Sequence, residues 1–287
     1  MRNFFAIICA AVLLMAGCGS GGQQGVDKTG SNFSGKEVQL GMLAPLNSDE
    51  ISFEGVLMTI EEKSGIKDTH RRPKFYDNLK TMQMGLDAGT IEEVSLYSTV
   101  AKYIIATNNK YEIVPDNALE KIRYSFCFAV RKDDTELKAE LDKAVADMKA
   151  DGTLDKLVNE YITDVKADSV PRVEIPMIDG APTIKVGITG DLPPLDLILP
   201  DGTPAGFNTA MLAEVARRIN RNIELVHIET GARAAALTSK LIDVVFWAVV
   251  PFGNDDIPKD IDKPAGLELS TPYFTDNVAH IKLKSTK

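Results

Sequence analysis

The sequence has few residues of the kinds that bind metals or cross-link chains. It contains three cysteines and three histidines, and the spacing of His70, His227 and His280 forms no metal-ligand motif. The cysteines form no Cys-x-x-Cys pair and are too few for a disulfide framework. A metal site is therefore not expected. Cys127 lies in the apolar run 126–130, which predicts a buried, inert thiol.

The chain also lacks an excess of positive charge. Its net charge is −9, whereas binding to nucleic acid depends on clustered lysine and arginine. No nucleic-acid partner is expected. The hydrophobic content of 44% is ordinary for a globular protein, and no run reaches the roughly 20 apolar residues that cross a bilayer.

An apolar run at residues 4–16 follows Arg2 and has the length of a signal-peptide core. It leads into Met15, Ala16, Gly17 and Cys18, and this order resembles the bacterial lipobox, with Met15 where leucine is usual. The resemblance implies cleavage before Cys18 and lipid, including palmitate, on that residue. An ordinary secretory signal with an incidental cysteine is the alternative. We expect an extracytoplasmic protein anchored to the cell membrane, or to the outer membrane if the cell has two.

The remaining chain divides by composition. Residues 1–17 are the predicted leader, and residues 18–34, rich in Gly, Ser and Gln, predict a flexible tether. Strands alternate with amphipathic helices from residue 35 onward, which predicts the α/β class. Residues 166–182 hold three prolines and no sustained periodicity, and this composition is typical of a linker.

Two segments of the folded region recur. Residues 38–42 share with residues 184–188 an alternating strand that ends near a glycine, Gly41 or Gly187, interpreted as a tight exit. Residues 86–94 parallel residues 237–245 as a helix end, a turn and a buried strand. Two lobes of similar topology explain the recurrence economically, and a shared pattern arising by chance is the alternative.

The motifs within these segments resemble a known family. Residues 183–281 carry Ile184-Lys185-Val186-Gly187, Pro193-Pro194, Gly206-Phe207-Asn208 and Thr271-Pro272-Tyr273. They are similar to the first lobe of the amino-acid type solute-binding proteins of ABC transporters. Residues 36–162 resemble the rest of that family. The resemblance implies the type II periplasmic binding fold, which has two Rossmann-like lobes, a hinge and an interlobe cleft.

The order of the segments is rotated relative to the family, in which lobe one runs directly into lobe two. We expect lobe two at residues 35–130, helices packing on lobe one at 131–165, the linker at 166–182 and lobe one at 183–287. Such an order indicates a circular permutant, which is tolerated where chain ends lie together at the surface. Two degenerate tandem domains are the alternative.

Ligands of such lobes bind beyond the carboxyl ends of the strands. Trp247 stands where the family has a small hydroxyl residue, and Asp255 lies near the place of its arginine, so the usual amino-acid clamp is not carried over. Arg233 is a substitute anion contact or else a solvated surface arginine. The candidate ligand contacts after the strands are Thr189, Asp191, Leu192, Arg233, Trp247, Ala248, Tyr97 and Asn47.

The resemblance implies a monomer that captures a small polar or aromatic solute for an ABC permease and ATPase. No catalytic or phosphate-binding motif stands out, so neither an enzyme nor a cofactor is expected. A ligand-sensing lipoprotein on the same fold is the main alternative. A dehydratase-like enzyme, with Asp191 as the sole candidate acid, and a scaffold without a ligand are further alternatives.

Overall fold

The computed structural model describes residues 35–115, 122–166, 169–253 and 255–285. The predicted leader, the lipid site at Cys18 and the tether lie outside the described residues. Gly35–Lys287 form one folded unit. Within the described ranges, no helix combines the length and the apolar character needed to cross a membrane.

Lobe two opens with alternating strands and helices. The strands pair in the order β2-β1-β3, and both pairs are parallel. Side chains cap two of the helices, since Asp49 accepts a hydrogen bond from the Ser52 N–H at 2.7 Å and Asn78 from the Thr81 N–H at 2.9 Å. The elements are β1 (Lys36–Leu43), α1 (Glu50–Lys63), β2 (Thr69–Tyr76), α2 (Leu79–Asp87), β3 (Glu93–Tyr97), α3 (Ser98–Thr107) and β4 (Tyr111–Ile113).

Lobe one repeats this plan. Its strands pair in the order β10-β6-β11, again in parallel, and a small antiparallel sheet of β7, β8 and β9 lies beside them. A 3₁₀ turn at Thr230–Ala232 precedes α7. The elements are β6 (Thr183–Ile188), β7 (Asp191–Leu192), β8 (Asp196–Ile198), β9 (Pro204–Ala205), α6 (Phe207–Ile219), β10 (Asn222–His227), α7 (Arg233–Thr238), β11 (Val244–Phe252) and β12 (Leu267–Leu269).

Two long antiparallel strands, β5 (Arg123–Arg131) and β13 (Phe274–Leu283), join the lobes. β5 pairs with β11 of lobe one and β13 pairs with β3 of lobe two, so one path runs β10-β6-β11-β5-β13-β3-β1-β2. After β5, α4 (Thr135–Ala150) and α5 (Thr153–Val158) pack on α6. A salt bridge of 2.7 Å between Arg221 and Glu140 supports this packing. The predicted α/β fold with two lobes is confirmed.

The recurring segments contact each other in the same way in each lobe. A Cβ atom on Gly41 would lie 2.4 Å from Ile91 Cδ1, and one on Gly187 would lie 2.6 Å from Ile242 Cδ1. Both glycines lie inside a strand, since β1 and β6 continue past them. The expectation of a tight exit at these glycines is therefore wrong. They leave room for an isoleucine at the sixth position of the second repeated segment, Ile91 in residues 86–94 and Ile242 in residues 237–245.

The centre of the sheet is the most deeply buried part of the molecule. Seven consecutive residues of β5, Tyr124–Val130, are buried, because β11, β12 and β13 pair along it. Cys127 is fully buried and free, as the apolar run predicts, and burial raises the pKa of its thiol to about 12. A thiol with this pKa is inert at neutral pH.

Candidate functional site

A cavity of about 70 Å³ lies where the strand ends of the two lobes meet. Parallel strands direct their carboxyl ends to the same edge, so β1 and β3 of lobe two face β11 of lobe one across it. Both crossover strands also contribute to its wall. The residues that line this interlobe cavity are Met42, Leu43, Ala44, Pro45, Phe53, Ser95, Leu96, Tyr97, Tyr124, Leu192, Trp247, Val249, Ile261, Asp262 and Val278.

Aromatic side chains from both lobes meet at this cavity. Tyr97, at the end of β3, lies edge-on to Trp247 of β11, with ring centroids 5.9 Å apart and an interplanar angle of 85°. Tyr97 also packs against Phe126, at 4.6 Å between centroids. Edge-to-face pairs of this kind stabilise a contact by about 1 kcal/mol beyond area burial. Of the predicted contacts, Tyr97, Leu192 and Trp247 line the cavity.

Arg233 is fully buried and does not line the cavity. Its guanidinium donates hydrogen bonds to the carbonyl oxygens of Thr230 at 3.1 Å, Trp247 at 2.7 Å and Ala44 at 2.9 Å. It also lies 3.9 Å from the centroid of the Trp247 ring, a cation–π contact. The alternative of a solvated surface arginine is wrong. Arg233 ties lobe one to the loop after β1 in lobe two.

Asp262 is the buried anion near this arginine. One carboxylate oxygen accepts a hydrogen bond from the Leu46 N–H at 2.6 Å, and the other from the Val249 N–H at 2.8 Å. Burial raises the pKa of Asp262, while the charge of Arg233 and the two N–H groups oppose that rise. Burial lowers the pKa of Arg233, and the charge of Asp262 opposes this. Sequence reasoning missed Asp262, since three other aspartates lie within residues 255–260.

Apart from the Asp262 carboxylate, the polar side chains of the cavity wall carry neutral O–H or N–H donors. Burial raises the pKa of Tyr97 and of Tyr124 above the usual value, and the charge of Asp262 raises both further, so both phenols stay protonated. Trp247 is 3% exposed, and no group of the described chain accepts a hydrogen bond from its indole N–H. The wall therefore combines flat apolar surfaces with neutral donors.

The predicted contacts at the end of β6 have structural partners. The N–H and hydroxyl of Thr189 donate to Asp196 at 2.9 and 3.2 Å. Asp191 accepts hydrogen bonds from the backbone N–H groups of Leu79 at 2.7 Å and Lys80 at 3.3 Å, at the start of α2 in lobe two. Burial raises the pKa of Asp191, and these hydrogen bonds oppose the rise. Neither predicted residue is on the cavity lining.

Asn47 and Ala248 are also away from the cavity lining. The Asn47 amide donates to the Asp260 carbonyl oxygen at 2.9 Å, which ties the loop after β1 to lobe one. Ala248 is fully buried in β11, where it pairs with Cys127 of β5. The structure gives both residues a part in holding the chain around the cavity.

Further hydrogen bonds connect the lobes at a second place, which we call the interlobe rim (residues 76–80 of lobe two with residues 191 and 229–230 of lobe one). The Thr230 hydroxyl donates a hydrogen bond to the Tyr76 carbonyl oxygen at 2.8 Å. The backbone N–H of Thr230 donates to the Asp77 carbonyl oxygen at 2.9 Å. The Asn78 amide donates to Glu229 at 3.1 Å. With Asp191, the rim holds the two lobes against each other through the chain's own groups.

Solved structures with a distant likeness include three of different kinds. Tv2483 bound to L-arginine has 10% identity and a TM-score of 0.41, over 86% of this chain and 78% of that chain. The GluR0 ligand-binding core from Nostoc punctiforme with L-glutamate has 11% identity and a TM-score of 0.36, over 86% and 84%. Full-length CbnR with its target DNA has 12% identity and a TM-score of 0.39, and this chain spans 65% of its length.

The family comparison is more direct. No curated protein matches the chain. A family model, described as bacterial extracellular solute-binding proteins, family 3, matches residues 34–164 and 184–251. These two stretches make up more than half of the sequence and include β1 to α5 and β6 to most of β11. The chain therefore belongs to the bacterial extracellular solute-binding proteins of family 3.

Proposed function

We propose that the protein captures a small solute outside the cytoplasmic membrane and presents it to the permease and ATPase of an ABC importer. The interlobe cavity carries this proposal, because residues of both lobes and of both crossover strands line it. A solute held there contacts both lobes at once. Its binding energy therefore favours the closed arrangement over an open one.

The most informative experiment is a thermal-shift screen of the full-length chain against amino acids, aromatic acids, amines, phenols and short peptides. A solute that binds only the folded state raises the melting temperature according to its concentration and Kd. We expect at least one class to stabilise the protein. Absence of a shift with every class would contradict solute capture.

The importer role needs a separate test. We expect deletion of this chain to reduce uptake of the stabilising solute by its host, and expression of the chain to restore uptake. Restored growth or signalling without a change in uptake would favour a sensing lipoprotein on the same fold.

We also propose that Cys18 carries the lipid anchor. The apolar run at residues 4–16 followed by Met15-Ala16-Gly17-Cys18 supports this. Feeding cells an alkyne analogue of palmitate should label the wild-type chain and leave Cys18→Ala unlabelled. Cys127→Ala is the matched control, since that thiol is buried, and it should keep the label. A labelled Cys18→Ala protein would contradict the anchor.

A circularly permuted order is a further part of the proposal. The two family-matched stretches flank residues 165–183, and β13 ends in lobe two, where it pairs with β3 and β4. A chain that joins Leu283 to Gly35 by a short linker and opens within residues 166–182 should fold with a similar melting temperature. Failure of that chain to fold would favour degenerate tandem domains.

A further inference from the structure

The wall of the interlobe cavity has almost no charge. Among its lining residues, only Asp262 carries a formal charge, and no lysine or arginine is present. A solute carboxylate placed there would meet no cation from the wall and would lie near an anion. Burying such a carboxylate without a partner is costly. The wall therefore disfavours the acid group that every free amino acid carries.

The two buried charges nearest the cavity already have partners. Each oxygen of Asp262 accepts a backbone N–H, from Leu46 or from Val249. Arg233 donates to three carbonyl oxygens and lies over one face of the Trp247 ring. Since the charge of Arg233 already compensates that of Asp262, an ammonium group would be buried without an anion of its own. The wall therefore disfavours a positively charged solute as well.

What the wall offers is apolar surface and neutral donors. Tyr97 and Trp247 present aromatic surface from opposite lobes, and Leu192, Val249 and Ile261 add aliphatic surface. The indole N–H of Trp247, which no described group accepts, is a donor for a hydroxyl or carbonyl oxygen of a solute. A neutral ring with one such oxygen satisfies both kinds of surface.

The size of the cavity excludes large solutes. Its volume of about 70 Å³ is less than half of the roughly 150 Å³ of an apolar cavity that binds benzene, so a single small ring already requires the lobes to move slightly apart and a larger solute would require more. We propose that the solute is a small uncharged ring compound bearing a hydroxyl or carbonyl oxygen. This inference rests on the proposed function and specifies the class of solute.

Three compounds that share one ring test the inference. They are 4-methylphenol, which is uncharged, tyramine, which adds an ammonium, and L-tyrosine, which adds an ammonium and a carboxylate. Trp247 is the only tryptophan of the chain, so its fluorescence reports on the cavity alone. Titration of the full-length chain should give a Kd for 4-methylphenol at least tenfold lower than for tyramine or L-tyrosine.

The outcomes separate the two proposals. Equal or tighter binding of L-tyrosine or tyramine would overturn the inference while leaving solute capture intact. Binding of none of the three, while an amino acid, an aromatic acid, an amine or a peptide of the thermal screen changes Trp247 fluorescence, would also overturn it. If no compound of the thermal-shift screen raised the melting temperature, that result would instead contradict the proposed function.

A pair of matched substitutions locates the binding. Met42 lines the cavity, whereas Met84 is 60% exposed on α2. Met42→Phe puts a larger, stiffer side chain into the wall and should raise the Kd for 4-methylphenol at least fivefold. Met84→Phe should leave it unchanged. Equal Kd values for the two variants, with unchanged melting temperatures, would place the compound elsewhere and overturn the inference.

Discussion

The two lobes bury charged side chains by different means. In lobe two, the charges pair with one another: Arg71 lies 2.8 Å from Glu93, His280 lies 3.2 Å from the same carboxylate, and His70 lies 3.0 Å from Glu61. In lobe one, Arg233 and Asp262 bond to backbone groups. The first network joins elements within one lobe. The second extends to the loop after β1 and so connects the lobes.

The difference has a chemical consequence. A network of carboxylates and imidazoles changes its charge as the pH changes, whereas peptide N–H and C=O groups do not titrate. Lobe two therefore has a pH-dependent source of stability. In the cavity region the backbone groups that bond to Arg233 and Asp262 do not titrate, so the Asp262 carboxylate, whose pKa burial raises, is the group of that pair that changes charge in acid.

The largest effect is expected at Arg233. Arg233→Met leaves Asp262 buried without its compensating cation. It also removes the guanidinium that donates hydrogen bonds to three backbone carbonyl oxygens. The free energy of unfolding should fall by about 3–5 kcal/mol, measured by urea denaturation. Arg217→Met is the control, since Arg217 pairs with Glu214 at the surface, and it should cost less than about 0.5 kcal/mol. Equal losses would remove the contrast between buried and exposed arginine.

The next effect concerns acid stability of lobe two. Burial opposes ionisation of Glu93, but hydrogen bonds from His280 and Arg71 outweigh it and lower its pKa from 4.5 to about 2. A lowered pKa adds stability above pH 4.5, about 3 kcal/mol when complete, and this stability is lost as the pH falls toward 2. Urea denaturation between pH 7 and pH 3 should therefore show a shallower loss for Glu93→Gln than for the wild type.

Glu112→Gln provides the comparison for that experiment. Glu112 is also on a strand of lobe two, but it is exposed and pairs with Lys282 at 3.5 Å. Its variant should follow the wild-type pH profile. A Glu93→Gln profile as steep as the wild type would mean that acid sensitivity arises outside this network.

A smaller effect is expected at the interlobe rim. Asp191→Ala removes the acceptor for the Leu79 and Lys80 N–H groups at the start of α2. Loss of a helix cap costs about 1 kcal/mol, and the lobes should separate, which small-angle X-ray scattering detects as a larger radius of gyration. Asp201→Ala, at an exposed turn of lobe one where Asp201 pairs with Arg172, should leave the radius unchanged. An unchanged radius for Asp191→Ala would show that the other rim contacts suffice.

The smallest effect is expected for an exposed ion pair on α4. Lys143 and Asp147 pair on the exposed face of α4. Lys143→Ala should lower the free energy of unfolding by less than about 0.5 kcal/mol, because solvent screens the pair. If Lys143→Ala lowered the free energy of unfolding as much as Arg233→Met, burial could not explain why the variants differ in stability.

Part of the fold and little of the site could be predicted from the sequence. The recurrence of residues 38–42 at 184–188 predicts the two similar lobes, since periodicity is a local property of the chain. The same pattern led to the wrong interpretation of Gly41 as a tight strand exit. The residue that requires a glycine there is Ile91, which packs against Gly41 in space but is distant from it in sequence. Tyr97 and Leu192 follow from strand ends, whereas Trp247, predicted to come after a strand, lies inside β11. Asp262 does not follow from the sequence, since nothing local separates it from the exposed Asp255.

The sequence by itself determined the class, the alternation of strands and helices and the burial of Cys127, because each depends on composition or on periods of a few residues. Tertiary structure decided the rest. Arg233 follows a short turn in a segment without a distinctive motif, and only the approach of Ala44 from the other lobe makes it a buried connector. The charge of the cavity was decided in the same way, since it depends on which polar groups backbone segments far apart in the chain have already satisfied.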